Sequence, residues 1–178
     1  MVIRYTCATT FLRLFKLLLC IVSATLILLG PTVLCQTLTE SEYPPVQDTT
    51  CSFQYIKVSD WDLSTSGIYG QWALIIIPFV YSLIIIYTLV SHVCLSKQKA
   101  VLFLGFLVYF ITGCVEMYFA LWYFSPDTLA GFHLEDLDDS VIQGWIASSS
   151  LLFLAAFLSL VDMAFVHHRE HYSDSQDF

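Results

Sequence analysis

The chain has 178 residues, of which 57% are apolar, 16% aromatic and only 12% charged, with a mean hydropathy of +0.73 and a formal charge of −8. A soluble domain carries about a quarter charged residues, so half that share, with apolar residues in long blocks, excludes an ordinary soluble fold and indicates an integral membrane protein. The acidic balance and the lack of clustered Lys and Arg exclude nucleic acid as a partner, and a sequence without Asn has no N-x-Ser/Thr glycosylation acceptor.

Residues 1–16 read as a cytoplasmic tail carrying Arg4, Arg13 and Lys16. Residues 17–35, LLLCIVSATLILLGPTVLC, are the first apolar block, near the roughly 20 residues that cross a hydrocarbon core. Two readings of this block stay open. The favoured one is a retained helix, because Arg13 and Lys16 lie well into the chain and the block exceeds the about 7–15 residues of a signal core. In the other, GPTVLCQT is a cleavage region with Val33 and Cys35 at the minus-three and minus-one positions, and residues 1–35 are a removed signal peptide.

Residues 36–71 form a first outer loop, in which Lys57 is outnumbered by Glu40, Glu42, Asp48, Asp60 and Asp62. Cys35 and Cys51 lie in or beside it and are a candidate disulfide closing a loop of about 15 residues in an oxidising compartment. The second helix is expected over 72–95, with Pro78 in its first turns, where a missing N–H costs little. A short turn over 96–100 carries Lys97 and Lys99, and the third helix spans 101–124. The second outer loop, 125–140, has five acids and no base. The fourth helix spans 141–166, and a polar tail follows over 167–178.

Only helices satisfy their own backbone at membrane depth without a closed barrel, so the fold expected is an all-α bundle of four transmembrane helices. Six of the seven basic residues fall in segments separated by even numbers of crossings. The positive-inside rule then puts both termini in the cytoplasm and both acidic loops outside.

Two acids lie within apolar blocks. A charge at a helix centre costs about 2.5–3.5 kcal/mol to insert, less near an interface. Asp162 sits about one turn inside the boundary marked by His167, His168 and Arg169, and is expected to face the bundle and pair with Lys97 or Lys16. Glu116 lies in the outer half of its helix, roughly 15 Å from Asp162 along the normal, too far for a catalytic pair. It is expected to contact Tyr81, Tyr87 or Thr88. Gly144, Ser148, Ala155 and Ser159 recur at spacings of four, seven and four, and Asp162 continues the stripe. Small residues so placed let helices approach closely, with Gly105 and Gly113 as a matching surface and a homo-oligomer as a further use.

Other features carry less chemistry. His167 and His171 are four apart but have no third ligand, so no metal is expected. Cys7 and Cys94 are juxtamembrane candidates for palmitoylation, while Cys20 and Cys114 read as small core residues. Trp72, Trp145 and MYFALWYF read as an interfacial aromatic belt. With no phosphate-cradling loop, nucleophile elbow or zinc signature, neither an enzyme nor a cofactor is expected.

The claudin pattern fails, because DWDLSTSGIYGQW supplies its tryptophans and glycine but only Cys51, upstream. FLRLFKLLLCIVSATLIL resembles the basic, Leu-rich first helix of MARVEL-like proteins, and GWIASSSLLFLAAFLSLVDMAFVHHRE resembles their last. With SGIYGQWALIIIPFVYSLIIIYTLV as second segment, the chain resembles snakeskin-like tetraspan proteins of insect smooth septate junctions. That resemblance implies a structural role in the lateral plasma membrane, with the lipid bilayer and other junctional membrane proteins as partners. A MARVEL-like trafficking role is the alternative. A channel or transporter subunit, motivated by Glu116 and Asp162, comes third.

Overall fold

The computed structural model describes residues 2–39, 47–55, 70–91, 94–123 and 143–174. Helix α1 runs Val2–Leu29, strands β1 and β2 run Pro31–Thr39 and Gln47–Tyr55, and helices α2, α3 and α4 run Gly70–Val90, Leu95–Tyr118 and Gln143–Asp174. A π-helical turn, Phe119–Tyr123, extends α3. Among the described residues, four helices are long and apolar enough to cross a membrane. The fold is therefore the expected bundle of four helices, with a two-stranded antiparallel ribbon added.

The helices close a ring in which α1 packs on α2, α2 on α3, α3 on α4 and α4 on α1. Among the described side chains, the buried positions of α1 are Thr9, Arg13, Lys16, Cys20, Ser23 and Ile27, alternating steps of four and three that Gly30 continues past its end, with Leu19 beside them. On α3 they include Gln98, Leu102, Gly105, Tyr109, Thr112 and Glu116. That 3.5-residue repeat is the seam that keeps one helix face against its neighbours over many turns. The opposite faces are apolar and exposed, with Phe157 61% and Ile111 58% accessible, as lipid-facing surfaces require. The apolar part of the core gathers Leu19, Ile85, Leu102, Leu152, Ala155, Ala156 and Val166.

Several expected boundaries shift for local reasons. The first helix ends at Leu29 instead of residue 35, because Gly30 takes φ 48° and Pro31 follows, a left-handed stop that starts a strand. Residues 2–16 are helical rather than a free tail. The turn expected at 96–100 belongs to α3, since Gln98 N–H already donates to the Cys94 carbonyl. Pro78 lies at the ninth position of α2, well inside it, so the Leu74 carbonyl loses its usual donor. The tail is helical to Asp174. The second outer loop at 125–140 falls outside the described residues, as do 40–46 and 56–69 of the first.

The ribbon is rooted tightly. A Cβ on Gly144 would come within 2.3 Å of Pro31 Cδ, so only glycine lets α4 approach the base of β1. Beside it, Trp145 Nε1 donates to the Ile27 carbonyl at 3.1 Å. Trp145 is thus fully buried between α1 and α4 and does not belong to an interfacial belt.

Candidate functional site

The buried polar side chains of this bundle fall at three levels, whereas Thr25, Ser91 and Ser150 are exposed and bond their own helix backbone. At the end holding the α1 N-terminus, the α2–α3 turn and the α4 C-terminus (the basic end), Asp162 is fully buried. Its Oδ2 accepts from Arg13 Nε and from Lys16 Nζ, each at 3.0 Å. The 13, 16 spacing puts both bases on the buried face of α1, one turn apart. Arg13 also donates from Nη2 to Gln98 Oε1 at 3.1 Å and from Nη1 to Thr88 Oγ1 at 3.3 Å. One side chain therefore ties α1 to α2, α3 and α4 together.

Arg13 and Lys16 are each 1% exposed. Charges survive such burial only when paired and hydrogen-bonded, and removing one member of a buried pair costs about 3–5 kcal/mol. Two cations share one carboxylate here. The dipoles of Thr88, Gln98 and the Ile85 carbonyl, 3.5 Å from Arg13 Nη1, face the remaining positive charge. Farther out at this end, Lys99 pairs with Glu170, which also lies 4.0 Å from His167 Nδ1.

The middle level is uncharged. Ser82 Oγ donates to the Pro78 carbonyl at 2.9 Å, which leaves it to accept from Tyr109 Oη at 2.7 Å and from Cys20 Sγ at 3.2 Å. Tyr109 also stands edge-on to Tyr81, whose hydroxyl donates to the Val101 carbonyl at 3.0 Å. Above it, Ser23 and Ser148 hydroxyls meet at 2.8 Å across α1 and α4, and Ser149 Oγ donates to the Gly113 carbonyl at 2.8 Å.

At the far end, beside the ribbon, lie Glu116 of α3 and Gln71 of α2, both 0% exposed. Among the described residues the Gln71 amide is set against the Glu116 carboxyl, but neither group completes a hydrogen bond of full geometry. The two levels that hold carboxylates thus differ in how the acid is matched: Asp162 has two cations on Oδ2, although its Oδ1 has no hydrogen-bond partner among the described residues, and Glu116 has no cation.

Each residue singled out in the sequence has a definite place. Gly144, Ser148, Ala155, Ser159 and Asp162 are all buried, and the stripe meets α1 and the base of β1. The matching surface is therefore on α1. Gly113 approaches Phe153 of α4 and Gly105 approaches Ile85 and Tyr81 of α2. Asp162 takes Lys16 as a partner, with Arg13 in the place expected for Lys97, because a 3.5-residue seam carries both α1 bases inward. Glu116 does not reach Tyr81, Tyr87 or Thr88. The α2 chain starts beside it at Gln71, Thr88 lies at the basic end, and Tyr87 is 67% exposed. Eighteen residues of α3 separate Gln98 from Glu116, about 27 Å of helix, so the two buried acids stand much farther apart than expected.

Cys7 and Cys94 are exposed, Cys20 is buried, and Cys114 is exposed on the lipid side where a core position was expected. Cys35 and Cys51 are opposed in the ribbon. Sequence reasoning missed Arg13, Gln98, Gln71 and Trp145 as parts of the interior. The alternating four-three recurrence of Thr9, Arg13, Lys16, Cys20 and Ser23 was the signal that could have found the first of these. No family model, curated protein or solved structure matches this chain.

Proposed function

We propose that this chain is a structural tetraspan membrane protein of cell–cell junctions, of the septate type, that contributes to epithelial barrier organisation in the lateral plasma membrane. The observation that carries this reading is the antiparallel ribbon of β1 and β2. It leaves α1 after a single residue, is braced on α4 at Gly144, and stands at the end of the bundle opposite the basic residues. By the distribution of Lys and Arg that end faces outward. Nine residues per strand give a ribbon about 30 Å long, enough to meet neighbouring proteins beyond the lipid headgroups. The bundle beneath is pinned by Arg13, Lys16 and Asp162, a stiff base for such a platform.

The test is the steady-state position of a C-terminally tagged copy in a polarised epithelial sheet. A continuous lateral band beside a junction marker, lost when another junctional protein is removed, is the expected result. Apical puncta would replace this reading with MARVEL-like membrane sorting.

A second reading, a proton or ion transport subunit, is favoured by one observation. Buried polar groups recur from Gln98 and Asp162 through Cys20, Ser82, Tyr109 and Ser148 to Glu116. Its test is dissipation of an imposed pH gradient by the reconstituted chain. A rate equal to that of empty vesicles removes this reading.

A further inference from the structure

The outer half of the ribbon has a physical problem that its apolar pattern does not solve. An isolated two-stranded ribbon is marginally stable in water. Register is well specified where one face of a strand is apolar and buried, and weakly specified where both faces are polar. Here β1 reads PTVLCQTLT and β2 reads QDTTCSFQY, with Thr, Gln, Ser or Asp on both alternating sets. Near the root Pro31 and Val33 share a face with Phe53 and Tyr55, which favours the register there. Beyond the central pair, Thr37, Thr39, Thr49 and Gln47 on one face and Gln36, Thr50 and Asp48 on the other leave a slip little opposed.

The observed register nevertheless runs without a bulge from Pro31 opposite Tyr55 to Thr39 opposite Gln47. Its central pair, the fifth of nine, is Cys35 opposite Cys51. Directly opposed residues of antiparallel strands have Cα atoms about 4.5 or 5.5 Å apart, depending on the type of pair. Both values lie inside the roughly 4.4–6.8 Å window for a disulfide. A slip of one residue would place Cys35 opposite Thr50 or Ser52 and remove the opposition.

We infer that Cys35 and Cys51 form a cross-strand disulfide that fixes the register of the outer ribbon. This rests on the reading of the ribbon end as the outer face, where disulfides form and persist. The bond forms by thiol–disulfide exchange. One thiol, as thiolate, attacks a disulfide of the compartment's oxidoreductase class to give a mixed disulfide, and the second thiolate displaces it. The two cysteines give up two electrons and two protons, and the oxidant leaves as a dithiol. The chain gains one sulfur–sulfur bond across a loop of 15 residues, 36–50. A bond at the midpoint leaves four pairs on either side, so neither half of the ribbon can shift alone.

The test uses the full chain at the surface of intact cells, a membrane-impermeant maleimide that retards the protein on gels, and an impermeant phosphine reductant. Wild type is expected to take no label before reduction and two labels after it. Cys51→Ser and Cys35→Ser are each expected to take one label without reductant. Two labels on unreduced wild type would overturn the disulfide, as would a covalent dimer that reductant dissolves. Labelling of Cys7 and Cys94 in intact cells, with none in the ribbon even after reduction, would instead overturn the outward placement, and the inference with it. Peptide mapping of unreduced wild type, with free thiols blocked first, carries the test if the Ser variants fail to reach the surface. A linked Cys35–Cys51 peptide is expected, and blocked thiols at both positions would sink the idea.

Discussion

Two fully buried carboxylates, one at each end of the same bundle, are treated in opposite ways. Asp162 has two cations on one oxygen, and those cations reach all three other helices directly or through Arg13. Glu116 has no counter-charge among the described residues and faces the Gln71 carboxamide without a hydrogen bond of full geometry. The first arrangement is a lock, because the cost of burying each charge is offset only while the helices stay together. The second is a site where, among the described residues, the carboxyl meets only an amide and no counter-charge, and the helices are held there by neighbouring contacts such as Trp145 on the Ile27 carbonyl. Burial of an acid in a membrane helix is therefore no guide to its role until its partners are known.

The contrast can be broken most sharply at the lock. Asp162→Ala is expected to destabilise the chain by about 3–5 kcal/mol, since it strands Arg13 and Lys16 inside. Thermal unfolding in detergent micelles reads this directly, and a loss below 1 kcal/mol would mean that water reaches the cluster. Next comes Gly144→Ala, which drives a methyl into Pro31 and should cost about 1–3 kcal/mol, with the ribbon becoming protease-sensitive before the helices unfold. Tyr109→Phe removes one hydrogen bond to Ser82 and should cost about 0.5–1.5 kcal/mol in the same assay. The smallest effect is expected at the other acid. Glu116→Gln should leave the melting temperature unchanged or raise it, because no ion pair is lost and an amide can still face Gln71. A marked drop there would show that Glu116 has a counterpart outside the described residues and would erase the contrast.

The crossings and the aspartate's inward face were legible because apolar length and small-residue spacing are local signals. The partners of Asp162 were legible only in part. Arg13 stands before an apolar block, where a basic residue ordinarily marks the membrane boundary, and only the heptad recurrence through Cys20 and Ser23 tells that it turns inward. GPTVLC carried two meanings at once. Gly and Pro after an apolar helix fit a cleavage region as well as a retained helix, and they also form the left-handed stop from which β1 starts, whose base packs on Gly144, 113 residues later in the chain. Gln71 was invisible for a different reason. A lone amide at the start of an apolar run has no pattern, and its burial follows from the helix that happens to face it.

The lock also sets a timetable. Arg13 and Lys16 are separated from Asp162 by 149 and 146 residues. At about 5–20 residues per second, synthesis leaves roughly 7–30 s between the emergence of α1 and that of its counter-charge. Through that interval the two bases lack the carboxylate that matches them in the finished bundle, and only Thr88, Gln98 and the Ile85 carbonyl, which emerge earlier, are there for Arg13. The lock therefore closes only when the last helix arrives, so the first buried charges of the chain are matched by nearly its last.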